Sequence, residues 1–520
     1  MVAHLEAVPE AKAVVNFAPI LLEQIEDYSN QVNGFLLDRI AIKDPFLAAL
    51  VEPSVSADPE NRLALLHDCR KANRERQIDR YPAFRKLTEM AEWIQTHQDA
   101  VNYVNAQFVT DIMVWYHLAW MGETVKLGDS RVQRLIEKGS SFSLHDRIEL
   151  LETIRDLLSK VIYRYKSLAR KGRIELSVTP YAHPIMPLMI DINSALEAMP
   201  DAQMPMLDNY PGGEDRVRWH LAKGLTTFKH FFGFEPKGCW PSEGSISEAT
   251  LKLLSDHGFK WTASGGNVLH NSLNASGVVD KGSVHHPFQL DSTNISCFFR
   301  DDGLSDLIGF EYSKWHADDA VADLIQHLEN TADFVDEESV VTIIMDGENA
   351  WEYFPDNGYH FLRALYQRLA EHPQIELTTF SECLENKVRI KPLSKVVAGS
   401  WVYGTFSTWI GDADKNYGWD MLGDVKKAFD TAVASGRLSE QQYEVAQLQL
   451  AVCEGSDWFW WFGDYNPGDA VSDFEKQYRL NLTNLYRLLG EEPPAYLALS
   501  FTQGSGSPAM GGAMRRGNEF

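Results

Sequence analysis

Val340 to Gly358 reads VVTIIMDGENAWEYFPDNG. The run Val340 to Ile344 is apolar or β-branched throughout, as expected of a strand buried on both faces of a parallel sheet. It stops abruptly at Asp346-Gly347-Glu348-Asn349, so two acids stand where a buried strand opens into a loop. In parallel α/β sheets and barrels that C-terminal edge is where ligands bind. Trp351, Tyr353 and Phe354 follow at once. Acids among aromatic rings suit a sugar, whose ring has apolar faces and hydroxyl edges. A strand end with a solvated turn is the plainer alternative.

Working outward, strand-like and helical patterns alternate. Lys12–Ile20 reads as a first strand and Leu21–Tyr28 as a helix. Residues from about 30 to 170 are overwhelmingly helical, too long for one crossover, and read as an insertion on a barrel edge. Ile174, Leu176 and Val178 alternate in the next strand, with His183 in the loop beyond. A helix over Arg216–Phe232 leads to GFEPKGCWPSEGSIS, a short strand ending in Pro241-Ser242-Glu243-Gly244. Ser245 or Ser247 is a candidate cap for the following helix. Lys260–Ala263, Ile295–Arg300 and Ile375–Thr379 complete the strand pattern. This alternation predicts a parallel α/β barrel over residues 1–385. Residues 386–498 read as a C-terminal helical domain that contributes to the cleft, and 499–520 as a disordered tail rich in Gly and Ser.

Composition narrows the function. The chain has 520 residues, 44% hydrophobic and 23% charged, as in ordinary globular proteins. Its net charge of -25 argues against nucleic acid or an anionic membrane as partner. Five scattered cysteines, without a C-x-x-C, fit reduced thiols in a cytoplasmic protein. The N-terminal stretch lacks the pattern of a signal peptide, and no apolar run is long enough to span a membrane. The sequence assigns no oligomeric state.

Three strand ends carry acids: Glu243, Asp301 with Asp302, and Asp346 with Glu348. In a parallel barrel these ends converge on one face. Two carboxylates facing one cleft are what glycoside hydrolysis requires. For Glu243 the alternative is a helix N-terminal acid beside the dipole. EGSDWFWWFGD, Glu454–Asp464, holds five consecutive aromatic residues, suited to sugar stacking or to packing between domains; WVYGTFSTWI, Trp401–Ile410, is similar. A third reading, a metal-dependent deacetylase-like barrel, would use His183, His285 and His286, but two of these are chain neighbours without useful ligand spacing.

GCWPSEGSIS, FFRDDGLSDLIGF, IIMDGENAWEYFPDNG and EGSDWFWWFGD together resemble the sequence blocks of glycoside hydrolase family 57, closest to its amylopullulanase and α-amylase branch. VNFAPILLEQIEDY and ELSVTPYAHPIMPL match as well, so the resemblance spans about residues 12–490. It implies a (β/α)7 barrel with a helical domain and retaining chemistry on α-glucans such as starch, glycogen and maltooligosaccharides. It places the nucleophile on Glu243 and the general acid/base on Asp346. For such chemistry the two carboxyl groups are expected roughly 5–6 Å apart. Asp457 and Trp460 are expected to close the cleft, and His183, Trp240, Arg300, Asp301, Glu348 and Trp351 to line it. No metal or organic cofactor is implied. The family pattern opens with a strand ending in H-x-H-Q-P. The residues before Asn16 hold only His4, so the first barrel strand is expected to be missing, with a catalytically weak or inactive glucan-binding protein as the alternative.

Overall fold

Parallel strands need long crossovers between them, and the helices between the first strands supply these. The computed structural model describes residues 1–52, 56–278, 283–347, 350–386 and 388–506. One sheet contains β1 (Ala13–Phe17), β2 (Ile174–Val178), β3 (Gly238–Cys239), β4 (Trp261–Ser264), β5 (Phe288–Leu290), β6 (Ser296–Phe299) and β7 (Lys391–Leu393). Its order is β1-β2-β3-β4-β6-β5-β7. The first five in that order pair in parallel, with Val15 opposite Leu176 and Thr262 opposite Cys297. β5 lies antiparallel on β6 and parallel to β7. The result is an α/β fold with a curled, mostly parallel sheet of the (β/α)7 type, a helical insertion and a helical C-terminal region.

Side chains alternate between the two faces of this sheet, as strand geometry dictates. Ile174, Leu176, Val178, Cys239, Cys297 and Phe299 join the main core with the surrounding helices. Trp261, Ala263 and Phe298 form a separate cluster, against which Val14, Val340, Ile344 and Phe380 pack. Phe380 lies 4.3 Å from Phe298 and 4.5 Å from Trp261 between ring centroids. It opens the short helix Phe380–Glu385, which a Thr379/Glu382 capping box starts. Lys12 pairs with Glu382 at 2.8 Å, while Trp261 and Ser381 both donate to Glu175. These contacts plug the end of the sheet where the strands begin.

Two expected strands come out differently. Val340–Ile344 forms no strand ladder, because β5 already occupies the edge of β6 at Ser296 and Cys297. The segment's backbone meets the chain beyond that point, where the Asp301 amide donates to the Thr342 carbonyl at 2.8 Å. The Val340 amide turns to His285, and that of Ile344 to the Ser305 hydroxyl. The two-residue alternation nevertheless persists: Val340 and Ile344 face the inner cluster, whereas Val341, Ile343 and Met345 face the helices. Ile375–Thr379 likewise carries no ladder, although Ile375 and Leu377 pack against the main core.

The insertion has its own apolar core, running from Val32 to Leu151. Two long helices join it to the sheet. Pro19–Asp38 buries Leu22 in the main core and Val32 in the insertion, and Leu144–Arg170 spans from Leu150 to Leu168 in the same way. A Ser143/Asp146 capping box starts the second. The C-terminal region is built from Ala413–Ala434, Glu440–Cys453, Asp457–Trp461 and Gly468–Leu488. The stretch beyond Leu499 is not wholly free: Phe501 packs on Phe462 at 5.0 Å and Thr502 is buried. Residues 507–520 of the expected tail lie outside the described residues. All five cysteines are buried free thiols. Among the described residues no helix is long and apolar enough to cross a membrane.

Candidate active site

The turn after β3 carries an acid in a constrained backbone conformation. Glu243 holds a left-handed backbone, φ 57 and ψ 27, and Gly244 follows at φ 60. For a non-glycine residue this conformation costs free energy and persists only where neighbours enforce it. Here Trp401 donates its amide to the Glu243 carbonyl at 3.0 Å, and Ser264 donates its hydroxyl to the Gly244 carbonyl at 2.6 Å. A Cβ on Gly244 would fall 2.8 Å from the Trp240 ring, so glycine is required on steric grounds as well. The Glu243 side chain keeps 17% exposure, unlike a core carboxylate. One of its oxygens accepts the Trp401 indole N–H at 2.9 Å, and the other lies 4.0 Å from His183 Nδ1.

His183 stands at the end of β2, also left-handed, at φ 61. Its Nδ1 meets the Ser456 hydroxyl at 2.7 Å, and its carbonyl accepts the Ser456 amide at 3.0 Å. Ser456 belongs to the aromatic-rich block of the C-terminal region, so that region reaches the β2 and β3 strand ends directly. Just behind it Glu454 is buried and fully engaged. Arg216 donates through Nε at 2.9 Å and Nη2 at 2.7 Å, Tyr210 donates at 2.6 Å, and His220 Nε2 lies at 2.8 Å. Burial alone would push the Glu454 carboxyl up; the Arg216 charge and the His220 bond outweigh it and hold the group at about 2. Burial keeps His220 neutral by lowering its pKa. The Ala182 amide reaches its Nδ1 at 3.4 Å, which leaves Nε2 as the donor to Glu454.

Arg300 ties the β6 end to the Asp346 segment. It is buried, donates through Nε to the Ile344 carbonyl at 3.0 Å, and pairs with Asp302 at 2.8 Å and Asp306 at 2.7 Å. Its guanidinium also lies 5.5 Å from the Trp401 ring centroid, and Trp401 meets Trp240 edge-on at 5.2 Å. Arg300 thus spans the two acid-bearing loops: one contact reaches the ring bonded to Glu243, another the backbone two residues before Asp346. Asp346 is half-buried and keeps the parity of Thr342 and Ile344, the inner-facing positions. Glu243 follows the C-terminal end of β3, and the segment leading to Asp346 meets the chain just past the C-terminal end of β6, at Asp301.

The other expected lining residues have these surroundings. Asp301 caps the helix Asp302–Asp306 through the Leu304 amide and pairs with His285 at 3.0 Å. Burial opposes its ionisation, but the His285 bond and the capping amide hold its carboxyl below the ordinary range. His285 is therefore committed to Asp301, and among the described residues no three His, Cys, Asp or Glu groups gather as a metal set. Trp351 packs on Phe354 and Phe361, at 5.5 and 6.4 Å. Trp460 is buried against Trp409, whereas Asp457 is exposed at the start of its helix. Glu348 lies outside the described residues. Trp401 and Ser456 were not singled out by the sequence, although each sits in an aromatic-rich stretch that was.

Comparison with known proteins bears on the fold and the family. No curated protein matches the sequence significantly. Similar solved structures include a GH57-type branching enzyme from Pyrococcus horikoshii, at 15% identity and TM-score 0.55, covering 96% of this chain and 85% of that one. A GH57 branching enzyme from Thermococcus kodakaraensis matches at 16% identity and TM-score 0.51, covering 95% and 92%. The α-amylase AmyC from Thermotoga maritima matches at 13% identity and TM-score 0.53, covering 94% and 85%. At these identities the likeness is one of fold. The family model for glycosyl hydrolase family 57 matches residues 50–397, a span that includes the β3 turn, Arg300 and Asp346. That match covers well over half of the sequence and agrees with the sheet, so the chain belongs to glycosyl hydrolase family 57.

Proposed function

We propose that this chain is a retaining α-glucan glycosidase or transglycosylase, with Glu243 as nucleophile and Asp346 as general acid/base. The observation that carries the reading is the enforced left-handed turn at Glu243. It keeps a partly exposed carboxylate between Trp401 and His183, and Arg300 links Trp401 to the segment leading to Asp346. In the first step a Glu243 oxygen attacks the anomeric carbon. The bond to the departing sugar oxygen breaks, and Asp346 gives that oxygen its proton. In the second step water or a glucan hydroxyl attacks the glycosyl-enzyme. Asp346 takes the attacking group's proton, and Glu243 leaves as carboxylate.

Trp401 would orient the nucleophile, and His183, braced by Ser456, would face the sugar. Trp240 would offer an aromatic wall. Arg300, being buried and ion-paired, would hold the loops in place rather than touch substrate. The branching enzymes and the α-amylase of similar fold support including both transfer and hydrolysis. Glu243→Gln should lower turnover of maltooligosaccharides by at least about a thousandfold while leaving glucan binding intact. Turnover within tenfold of the parent would remove Glu243 from this role.

A further inference from the structure

A second concave surface lies outside the acid-bearing turns. A cavity of about 550 Å³ opens at the N-terminal ends of the helices Ala317–Ala332 and Tyr359–Ala370. That volume lies within the range of roughly 300–1,000 Å³ typical of small-molecule sites. Its floor is aromatic: Tyr312, Phe354 and Phe361 are buried, and Trp315 stands at the mouth with 44% exposure. His360 and Arg363 stand on its rim. On that rim His360 faces Asp356 at 3.3 Å, Asp318 pairs with Arg368 at 3.1 Å, and Arg363 donates to the Tyr359 hydroxyl at 3.3 Å. Such a surface offers hydrogen-bonding groups beside exposed ring faces, which suits a polyhydroxy ligand whose ring has apolar faces and hydroxyl edges.

Two further observations tie the cavity to the candidate active site. Its wall residues Phe354 and Phe361 pack on Trp351, which stands five residues after Asp346 in the sequence. The two loops at its mouth are also fixed in advance. Arg76, from the helical insertion, donates to the Tyr353 carbonyl at 3.1 Å and to the Ser313 carbonyl at 3.4 Å. A preformed aromatic pocket loses little entropy on binding.

We propose that this cavity is a distal glucan-holding site, in which Trp315 stacks on a hexose ring of a chain long enough to reach it from the Asp346 loop. The assignment rests on the α-glucan reading above. The test uses the full chain with Trp315→Ala and Trp315→Tyr. It combines affinity electrophoresis in amylose gels with kinetics on amylose and on maltotriose. Trp315→Ala should weaken retention and raise KM for amylose about five- to tenfold, with kcat and all maltotriose parameters within twofold of the parent. Trp315→Tyr should restore most of the loss. Unchanged amylose retention, or an equal loss on maltotriose, would overturn the assignment; the first of these would point to an occupant other than carbohydrate. A parent chain that neither binds nor turns over either glucan would sink the α-glucan reading itself, and the distal site with it.

Discussion

Replacing Glu454 with Gln should destabilise the protein by about 3 kcal/mol at neutral pH, and the deficit should fade in acid. The carboxylate has no solvent exposure and accepts from Arg216, Tyr210 and His220. Its pKa falls from an ordinary 4.5 to about 2, mainly because the Arg216 charge and the His220 bond overcome the burial that resists ionisation. A depression of that size corresponds to about 3 kcal/mol of folding free energy. Removing one partner of a buried ion pair costs about 3–5 kcal/mol by a separate route, the stranding of the other charge. A folded pKa below the unfolded one means that the contribution is complete above about pH 4.5. It is lost as pH falls through the folded value near 2. Urea unfolding of parent and variant should therefore show a gap that is constant near neutrality and narrows below about pH 4.5. The double variant Glu454→Gln/Arg216→Met should recover part of the loss, since no unpaired guanidinium remains. A gap below about 1 kcal/mol at pH 7, or one that does not change with acidification, would refute the reasoning.

Two further outcomes follow from the Glu243 turn. Trp401→Phe removes the N–H donor to the Glu243 carboxylate but keeps an aromatic ring beside Trp240; kcat/KM for maltooligosaccharides should fall about 10- to 100-fold, as expected for a hydrogen bond to a charged group. Gly244→Ala forces a Cβ to 2.8 Å from the Trp240 ring at φ 60, so stability should drop by about 1–3 kcal/mol in denaturant titrations and activity should fall with it.

Much of the sheet was legible because buried parallel strands advertise themselves. Alternation in Ile174–Val178 and the apolar Ser296–Phe299 survive as β2 and β6. Val340–Ile344 carries as strong a signal but loses its ladder to β5, a three-residue strand too short to show any period. The acids at the strand ends were visible as residue types, yet their partners were not. Trp401 reaches Glu243, and Ser456 reaches His183, across long sequence separations that no local pattern encodes. The resemblance implies that Arg300 lines the site; that it is buried and paired with Asp302 and Asp306 was beyond any local pattern. The aromatic run Trp458–Phe462 read equally well as sugar platform or packing. Burial of Phe459, Trp460 and Phe462 decides largely for packing, whereas Ser456 just before it reaches His183.

The central claim is that Glu243 becomes covalently bonded to sugar, and mass spectrometry of a trapped intermediate tests it most directly. In the Asp346→Asn variant an activated α-glucosyl donor with a good leaving group needs no acid for the first step. The second step, however, lacks its base and should stall. Peptide mapping after acid quench should find one glucosyl unit on the peptide that contains Glu243 and on no other. Full donor turnover with no adduct, or a glucosyl unit on a different carboxylate, would contradict the account.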